Sequence, residues 1–423
     1  MSRPRVVVVV TGSELVRGDR TDRNGPFLAR EVLKLGLEPA RVEIVGDAVE
    51  ELLPTLREGL KADLCITSGG LGPTHDDRTV ELVAAAAGRG LVVDEDLRAE
   101  IEAVSRRIAE RLRRPYADFE AGVVKQAQLP EGALAVGLAG TAPALVLEHD
   151  GAVVVVLPGP PGELRRLWPL TLETEPLRRL LARAQPPERR ILRFFGASES
   201  TVAQALADAG GEREGVEATI CARDFEIHVD LVAEPSAAAR TDELERALTE
   251  PLERFLFARD ERPVEELVLD LCRGQGLSLA AAESCTGGLV AARLTGIAGS
   301  SDVFRGGVVA YSDELKRSQL GVPEQVLSEH GAVSAQAAEA MAEGARRGLG
   351  ADVAVAVTGI AGPGGATPGK PVGLVFLHAA GPDGDAALRL DLPGDRADVR
   401  SRATAVSLHL LRRLLTQSRH ERG

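Results

Sequence analysis

Cysteine is scarce in this chain, and its spacing excludes the common cysteine-based sites. The 423 residues include four cysteines, which lie far apart in the sequence. Zinc knuckles and CxxC redox motifs need cysteines only a few residues apart, so neither is predicted. Such sparse usage is typical of proteins of the reducing cytosol, and we therefore expect a cytoplasmic location.

Long apolar runs and an excess of positive charge are also lacking. No apolar stretch approaches the roughly 20 residues of a membrane-spanning helix, and the apolar part of the opening MSRPRVVVVVTG is too short for a secretory signal. The formal net charge is −13, whereas a general duplex-DNA binder carries the opposite balance. We therefore expect neither a membrane nor a nucleic-acid partner. Aromatic residues, at 3%, give no functional indication.

The length and the alternation of patterns predict three α/β sections. A chain of 423 residues is too long for one ordinary core. In the first third, short β-branched runs alternate with helical patterns, which predicts a doubly wound parallel sheet with helices on both faces. Proline and charge then rise, a shorter βαββα pattern follows, and a third α/β block begins near Pro263. The predicted domains are residues 1–170, 171–258 and 263–417.

The first candidate site is the glycine-rich stretch DLCITSGGLGPTHDDRT. A buried strand is predicted to end at Thr67–Ser68, and three glycines with unobstructed amides follow: Gly69, Gly70 and Gly72. Amides at the carboxyl end of a parallel strand are where open α/β sheets bind anions. Asp76 and Asp77, at the start of the next helix, suit a divalent metal that bridges them to a phosphate. A tight turn and a plain helix cap would use the same residues.

Two other turns also follow buried strands in this first section. They are TGSELVRG, which follows Val10, and LPGPPGE, which begins at Leu157. Because the carboxyl ends of parallel strands meet at one edge of a sheet, the three turns are predicted to converge on one pocket.

The second candidate site is AAAESCTGGLVAARL, in which three candidate nucleophiles stand in a row. Cys285 is intrinsically the strongest, with His330 or His378 as potential partners, but a small buried side chain is its commoner role. Thr286 suits the N-cap of the following helix. Ser284 follows a predicted strand and precedes a glycine loop, where its hydroxyl would lie beside amides that suit an oxyanion. The local sequence supports catalysis and capping by Ser284 about equally.

A serine nucleophile needs a base, and the segment GGVVAYSDELK downstream offers one. Lys316 stands just beyond a strand-like run. A desolvated lysine loses its charge more readily and can act as a base, whereas a solvated surface lysine is the commoner case. Tyr311 lies five residues before it. A further glycine loop, VTGIAGPGG, ends another predicted strand, and its amides and Thr358 suit a phosphate or a carbonyl oxygen.

These motifs resemble the competence/damage-inducible CinA family. TGSELVRGDRTDRN, TSGGLGPTHDD, AGTAPA and LPGPPGE are similar to its molybdopterin-binding-like domain. AAESCTGGLVAARLTGIAGSS, GGVVAYSDELK, AVTGIAGPGG and KPVGLV are similar to its carboxy-terminal domain, the nicotinamide mononucleotide deamidase family. The middle section matches the KH-like linker domain in position and pattern. It lacks a GxxG loop with basic flanks, so we interpret it as a spacer or dimer element.

The resemblance implies two hydrolytic activities. The carboxy-terminal domain would be a Ser/Lys amidohydrolase that converts nicotinamide mononucleotide to nicotinic acid mononucleotide and ammonia without a cofactor. The amino-terminal domain would be an ADP-ribose pyrophosphatase that depends on a divalent metal ion of unspecified identity. Together they would form a bifunctional enzyme of pyridine-nucleotide recycling, expected to be a homodimer.

The resemblance also assigns roles to particular residues. Those matched as catalytic are Ser284 as nucleophile, Lys316 as base, and Tyr311 and Thr358 in support. Those matched as substrate-binding are Thr286, Gly287, Gly288, Gly359, Gly362 and Gly364 near the carboxyl end, and Asp22, Asn24, Gly69, Gly70 and Gly72 near the amino end. Asp76 and Asp77 are matched as metal ligands.

Two alternatives come from other functional classes. One is binding of a pterin or molybdenum cofactor by the amino-terminal domain, since a fold does not fix a function. The other is a non-enzymatic interaction protein of the competence or damage response, which would need a basic face.

Overall fold

The computed structural model describes residues 3–211 and 215–421. The chain divides into two units, Met1–Pro187 and Glu188–Gly423. The α/β fold class predicted from the sequence is confirmed in both. None of the helices within the described ranges has the length and the apolar character needed to cross a membrane.

Strands and helices alternate through the first unit. Its strands are β1 Arg5–Thr11, β2 Glu38–Val45, β3 Leu64–Ser68, β4 Leu91–Val93, β5 Gln128–Pro130, β6 Leu134–Leu138, β7 Pro143–His149 and β8 Ala152–Leu157. Its helices are α1 Ser13–Val16, α2 Asn24–Lys34, α3 Val49–Gly59, α4 Thr79–Ala86, α5 Glu95–Leu112, α6 Ala117–Gln126, α7 Pro161–Leu172 and α8 Glu175–Leu181.

The main sheet of the first unit has the order β2-β1-β3-β8-β7-β6, with β2, β1, β3 and β8 parallel. The valines of β1 alternate between two cores: Val7 and Val9 pack on one face, and Val6, Val8 and Val10 pack on the other. A strand that is apolar at every position thus lies in a sheet covered on both faces. Because β1, β3 and β8 are neighbours, the turns after them lie at one edge.

The second unit contains a small sheet followed by a larger one. Its strands are β9 Glu188–Phe195, β10 Val216–Arg223, β11 Glu226–Ala233, β12 Leu256–Ala258, β13 Leu279–Glu283, β14 Phe304–Val309, β15 Val353–Gly359, β16 Leu374–Gly381 and β17 Gly384–Asp391. Its α-helices are α9 Glu199–Asp208, α10 Ala238–Leu252, α11 Val264–Gln275, α12 Leu289–Thr295, α13 Asp313–Leu320, α14 Glu324–His330, α15 Ala335–Leu349 and α16 Arg396–Glu421.

The small sheet has the order β10-β11-β9-β12, and α9 and α10 pack against it. Its elements follow the predicted βαββα order. The core includes Phe194, Val229, Leu231, Leu244 and Leu248. This module is the middle section of the sequence, and its strands β10 and β11 form a hairpin.

The larger sheet has the order β14-β13-β15-β16-β17, with β14, β13 and β15 parallel. The sequence of β13 is LAAAE, and its alanines alternate between the two covered faces: Ala281 belongs to one core, Ala280 and Ala282 to the other. Helix α15 lies in close contact with β13. As in the first unit, the carboxyl ends of neighbouring parallel strands meet at one edge.

Candidate active sites

Ser284 lies at this edge of the larger sheet, directly after β13. Its backbone amide donates to the carbonyl of Val357 in β15, at 2.9 Å, so the residue is still tied to the sheet. The side chain is 8% exposed. The sequence prediction that a strand delivers Ser284 to a glycine loop thus agrees with the structure.

A buried carboxylate fixes the loop that follows Ser284. Glu283 is 1% exposed and accepts hydrogen bonds from the amides of Gly288, Val290 and Ala291, at 2.9, 3.1 and 2.8 Å. These amides at the start of α12 have no partner within the helix, so the side chain satisfies them. The N-cap residue is Gly288, and the alternative that Thr286 caps the helix is therefore wrong.

Lys316 lies on α13 with its Nζ turned into the protein. The residue is 2% exposed, and its Nζ lies 3.3 Å from Ser284 Oγ and 3.1 Å from the carbonyl oxygen of Ala310. The commoner role of a solvated surface lysine is therefore excluded here. Burial lowers the pKa of Lys316, against the opposing charge of Asp313 at 3.8 Å. A lysine of this kind sheds its proton more easily than a solvated one.

Cys285 is buried and unsuited to nucleophilic attack. It is 4% exposed, and burial raises the pKa of its thiol to about 12. Since the thiolate is the reactive form, the thiol is inert near neutral pH. The two histidines considered as partners are placed elsewhere: His378 lies beside Asp385, at 3.5 Å, and His330 ends α14.

The sequence predicted that backbone amides beside Ser284 are available to an oxyanion, but two amides of this loop already donate hydrogen bonds within the protein. Those of Gly287 and Gly288 donate to the carbonyl of Ser284 and to Glu283, respectively. The Thr286 hydroxyl, by contrast, is fully buried and has no hydrogen-bond partner within the described part of the chain. An unpaired buried hydroxyl costs about 1–3 kcal/mol, which a bound group that pairs with it would recover.

Thr358 and Tyr311, to which the resemblance assigns supporting roles in catalysis, lie in different environments. Thr358 is completely buried, and its hydroxyl donates to the carbonyl of Ala332 at 2.6 Å. Its proton is therefore engaged in holding the segment after α14. Tyr311 is 56% exposed, and its hydroxyl oxygen accepts a hydrogen bond from Arg396 at 2.6 Å.

Sequence reasoning missed two arginines at the start of α16. Arg396 donates to the carbonyl of Gly362 and Arg400 to that of Thr286, both at 2.8 Å. Both line a cleft of about 510 Å³ together with Val372. The only sequence signal was a pair of arginines four residues apart, a spacing that puts two side chains on one face of any helix.

Close packing within the protein accounts for two of the glycines in the VTGIAGPGG loop. A β-carbon on Gly359 would lie 2.7 Å from the carbonyl oxygen of Leu374, and one on Gly362 would lie 2.7 Å from Val372. Gly364 is exposed, with open space around it. The first two positions therefore exclude a side chain even without a substrate.

In the first unit, the three predicted turns do meet. Asn24, at the start of α2, is 5% exposed, and its Nδ2 donates to Ser68 Oγ at 2.9 Å and to the Gly159 carbonyl at 2.7 Å. The amide of Gly69 donates to the carbonyl of Leu157 at 3.0 Å. Asn24 thus joins the turns that follow β3 and β8.

Several buried polar atoms around these turns lack a partner among the described residues. They are Thr11 Oγ1, Asn24 Oδ1, Thr67 Oγ1 and Thr79 Oγ1. Gly69 and Gly70 lie beside two of them, at φ 110° and 64°, where L side chains are strained. A β-carbon on Gly69 would lie 2.6 Å from Thr11, and one on Gly70 would collide with Thr79. The glycines keep this polar group closely packed.

The three aspartates assigned to this site, Asp22 for substrate and Asp76 and Asp77 for the metal, have different surroundings. The Asp22 carboxylate accepts from the amides of Asn24 and Gly25, at 2.8 and 3.1 Å, and so it caps the first turn of α2. Asp76 and Asp77 precede α4 rather than starting it, because the N-cap is Arg78. A β-carbon on Gly72 would collide with the Asp77 carboxylate, so that glycine makes room for it.

Asp76 and Asp77 are held by the hydroxyl of Thr74, which contacts both carboxylates and lies 2.5 Å from Asp77 Oδ2. The hydrogen bond between the Thr74 hydroxyl and Asp76 lowers the pKa of the Asp76 carboxyl group. Asp77 lines a small cavity of about 100 Å³ with Lys125. Residues 3–211 and 215–421 contain no group of three or more His, Cys, Asp or Glu placed to hold a metal alone. Two carboxylates still suit a Mg²⁺-like ion that takes its other ligands from phosphate and water.

The fold and these sites define an α/β protein with a buried Ser–Lys pair in one unit and a polar glycine-loop site in the other. Residues 261–415 match a family model described as "CinA C-terminal domain", and residues 7–178 match one described as "Probable molybdopterin binding domain". The chain belongs to the CinA family.

Relatives extend along almost the whole chain. A CinA-like protein of Mycobacterium sp. (strain MCS) is 44% identical over 97% of this chain and 99% of its own length. One from Mycobacterium tuberculosis (strain ATCC 25618 / H37Rv) is 43% identical over 97% of both. A solved structure of a competence/damage inducible protein from Agrobacterium tumefaciens is 41% identical, with a TM-score of 0.35, and covers 38% of this chain and 99% of that one.

Proposed function

We propose that the second unit is an amidohydrolase that converts nicotinamide mononucleotide to nicotinic acid mononucleotide and ammonia. The observation that carries this proposal is the buried Ser284–Lys316 pair, with Oγ and Nζ 3.3 Å apart. A serine hydroxyl is a weak nucleophile until a base removes its proton. Burial favours the neutral form of Lys316, which is the form that accepts a proton.

The pair supports a two-step hydrolysis. Neutral Lys316 Nζ takes the proton from Ser284 Oγ while Oγ bonds to the carboxamide carbon, giving a tetrahedral intermediate. When the C–N bond breaks, the leaving nitrogen takes that proton from Nζ and departs as ammonia, and an ester to Ser284 is left. Lys316 then removes a proton from a water molecule, which attacks the ester carbon. The carboxylate product departs, and the serine recovers its proton.

The surroundings of the pair favour a nucleotide over a simple amide. Arg396 and Arg400 bring two guanidinium groups to the same edge, and each has five N–H donors, of which the fold uses only some. Guanidinium groups bind phosphate in a two-pronged geometry. Both arginines also line a cleft of about 510 Å³, a volume in the range of small-molecule sites, although Ser284 and Lys316 are not among its lining residues.

The test is incubation of the purified full chain with nicotinamide mononucleotide, followed by chromatography of the nucleotide and assay of ammonia. Nicotinic acid mononucleotide and ammonia should appear in equal amounts. Free nicotinamide, which lacks the phosphate, should be a far poorer substrate. Release of nicotinamide without ammonia would mean that the glycosidic bond is cleaved instead, and the proposal would be wrong.

For the first unit, we propose a metal-dependent ADP-ribose pyrophosphatase. The support is the cluster of unpaired buried polar atoms at the strand-end turns, together with Asp76 and Asp77. The two carboxylates would hold a divalent ion, which would neutralise charge on the pyrophosphate. The unpaired groups of Thr11 and Asn24 would bind other polar parts of the ligand. AMP and ribose 5-phosphate are the products that this proposal requires.

This second proposal is tested by incubating the chain with ADP-ribose and each of several divalent metals. Asp77→Asn should abolish AMP formation, whereas Asp150→Asn, at an exposed turn of the same unit, should not. Binding of a pterin without cleavage of ADP-ribose would instead favour the alternative of a cofactor-binding domain.

A further inference from the structure

The hairpin of the middle module ends in an unusual turn. Strands β10 and β11 pair up to Arg223 and Glu226, which leaves Asp224 and Phe225 as the two turn residues. Both have positive φ angles, 49° and 67°. Such turns favour asparagine and glycine, because a β-carbon is strained there. Phe225 is also 40% exposed, so burial of its ring does not offset the strain. The turn needs another explanation.

Both turn residues contact α16. The Asp224 carboxylate accepts a hydrogen bond from Ser401 Oγ at 3.0 Å. The ring of Phe225 lies 5.5 Å from the guanidinium carbon of Arg402, within the range of a cation–π contact. Ser401 and Arg402 directly follow Arg400, whose guanidinium donates to the carbonyl of Thr286 in the Ser284 loop.

A second contact fixes the same helix about two turns further along. The Glu226 carboxylate accepts a hydrogen bond from Nε2 of the buried His409, at 2.8 Å. The His409 ring also stacks on Phe195 of β9, with centroids 3.7 Å apart. The middle module therefore holds α16 at two levels.

The start of α16 is anchored in the core by the buried Val399. Residues 393–398, which include Arg396, are exposed, whereas residues 403–411 are buried. The hairpin turn contacts the helix at residues 401 and 402, between these two parts. It therefore adds a second contact, beside Val399, to the first turns of the helix, where both arginines lie.

Resting on the proposed deamidase function, we propose that Asp224 and Phe225 are positioning residues for substrate binding. By holding Ser401 and Arg402, they keep Arg396 and Arg400 aimed at the place where the phosphate of the mononucleotide binds. The middle module is thus a part of the deamidase binding site rather than a spacer. Its contribution concerns the phosphate, and the Ser284–Lys316 chemistry does not depend on it.

The test compares kinetics on nicotinamide mononucleotide and on nicotinamide riboside, which lacks the phosphate. Asp224→Ala and Ser401→Ala should each raise the KM for the mononucleotide about three- to tenfold, the effect of one lost hydrogen bond, with kcat unchanged. Their kcat/KM for the riboside should match that of the wild type. The double variant should be no worse than either single one, because both remove the same contact. Glu217→Ala, an exposed carboxylate on the same hairpin, is the matched control.

The outcomes separate this inference from the proposed function. A wild-type chain that releases no ammonia from the mononucleotide overturns the proposed function, and this inference with it. An active wild type whose KM is unchanged by both substitutions overturns this inference alone. So does an equal loss on both substrates, since that would indicate general damage to the fold and not a role in phosphate binding.

Discussion

At the scale of single residues, the central feature is a lysine that is almost completely buried. Lys316 is 2% exposed, and the groups within hydrogen-bond distance of its Nζ include the Ser284 hydroxyl and the Ala310 carbonyl. Asp313, the nearest carboxylate, is 3.8 Å away and mostly exposed, so it compensates the charge weakly. The protein thus holds an amine in surroundings that disfavour its charged form, which is what a general base requires.

We expect Lys316→Met to abolish deamidation and to raise the melting temperature by a few degrees. The folded-state pKa lies below the ordinary lysine value, so between the two the unfolded chain binds a proton that the folded chain does not. Stability therefore rises with pH through that window, and the full penalty of burying the charge applies below it. Methionine fills a similar volume without this penalty.

The measurements are thermal unfolding by circular dichroism at pH 7 and the pH dependence of the wild-type rate. That rate should rise with pH, with a midpoint below the ordinary lysine pKa of about 10.4. Lys61→Met, at an exposed position, should change neither property. A less stable Lys316→Met protein would show that the lysine's hydrogen bonds outweigh its burial penalty.

At the scale of helices and strands, sequence patterns correctly placed several candidate residues at the ends of buried strands. The runs VVVVV and LAAAE are apolar at each position, which buried parallel strands require, and the residues at their carboxyl ends were thereby placed at sheet edges. The positions of Ser284 and of the Gly69–Gly70 turn at sheet edges were predicted in this way. Such patterns are local, and so they work where a site is built from the end of one strand.

Other parts of the sites depend on contacts between distant segments and could not be predicted from the sequence. Arg396 reaches Tyr311, which is 85 positions away, and nothing in a helix-surface arginine indicates this. The burial of Lys316 likewise depends on how α13 packs. Asp76 and Asp77 looked like the start of a helix, but the Thr74 hydroxyl engages both, and α4 begins only at Thr79.

The contact between the middle module and α16 also predicts how acid affects stability. Burial raises the pKa of Glu226, but hydrogen bonds from His228 and His409 outweigh it and bring the value to about 2. Burial lowers the pKa of His409 to about 4. The pair is therefore an ionised carboxylate and a neutral imidazole. As the pH falls below about 6.5, the unfolded chain protonates its histidine first, so stability is lost down to about pH 4.

We expect His409→Gln to reduce this acid sensitivity by about 2 kcal/mol between pH 7 and pH 4.5, because glutamine can still donate to Glu226 and does not titrate. Urea unfolding followed by circular dichroism at both pH values measures it. The single tryptophan, Trp168, lies in the first unit, so its fluorescence reports that unit separately. His330→Gln, at an exposed histidine, is the control. Equal acid sensitivity in wild type and His409→Gln would contradict the assignment.

At the scale of the whole molecule, the chain carries two strand-end sites of different chemistry. The second unit offers a buried amine beside a hydroxyl, whereas the first offers carboxylates beside a glycine turn. Both proposed substrates are fragments of NAD, so the two activities would act on related molecules. The homodimer expected from the sequence stays a prediction.

The difference in chemistry predicts a different response to removal of metal. A chelator should abolish ADP-ribose cleavage, which is proposed to need an ion held by Asp76 and Asp77. It should leave deamidation intact, because the Ser284–Lys316 mechanism uses only groups of the protein. Both activities are measured on one preparation, with and without chelator, and then after a divalent metal is added back. Loss of both activities would contradict the separate assignments.

The central claim is that Ser284, and not its neighbour Cys285, is the nucleophile of a nicotinamide mononucleotide deamidase. The measurement that tests it most directly is the rate of ammonia release by Ser284→Ala and Cys285→Ala, with the fold of each checked by circular dichroism. Ser284→Ala should lose several orders of magnitude in kcat, because the covalent route is removed, while Cys285→Ala should keep most activity. An active Ser284→Ala protein beside an inactive Cys285→Ala protein would contradict the account.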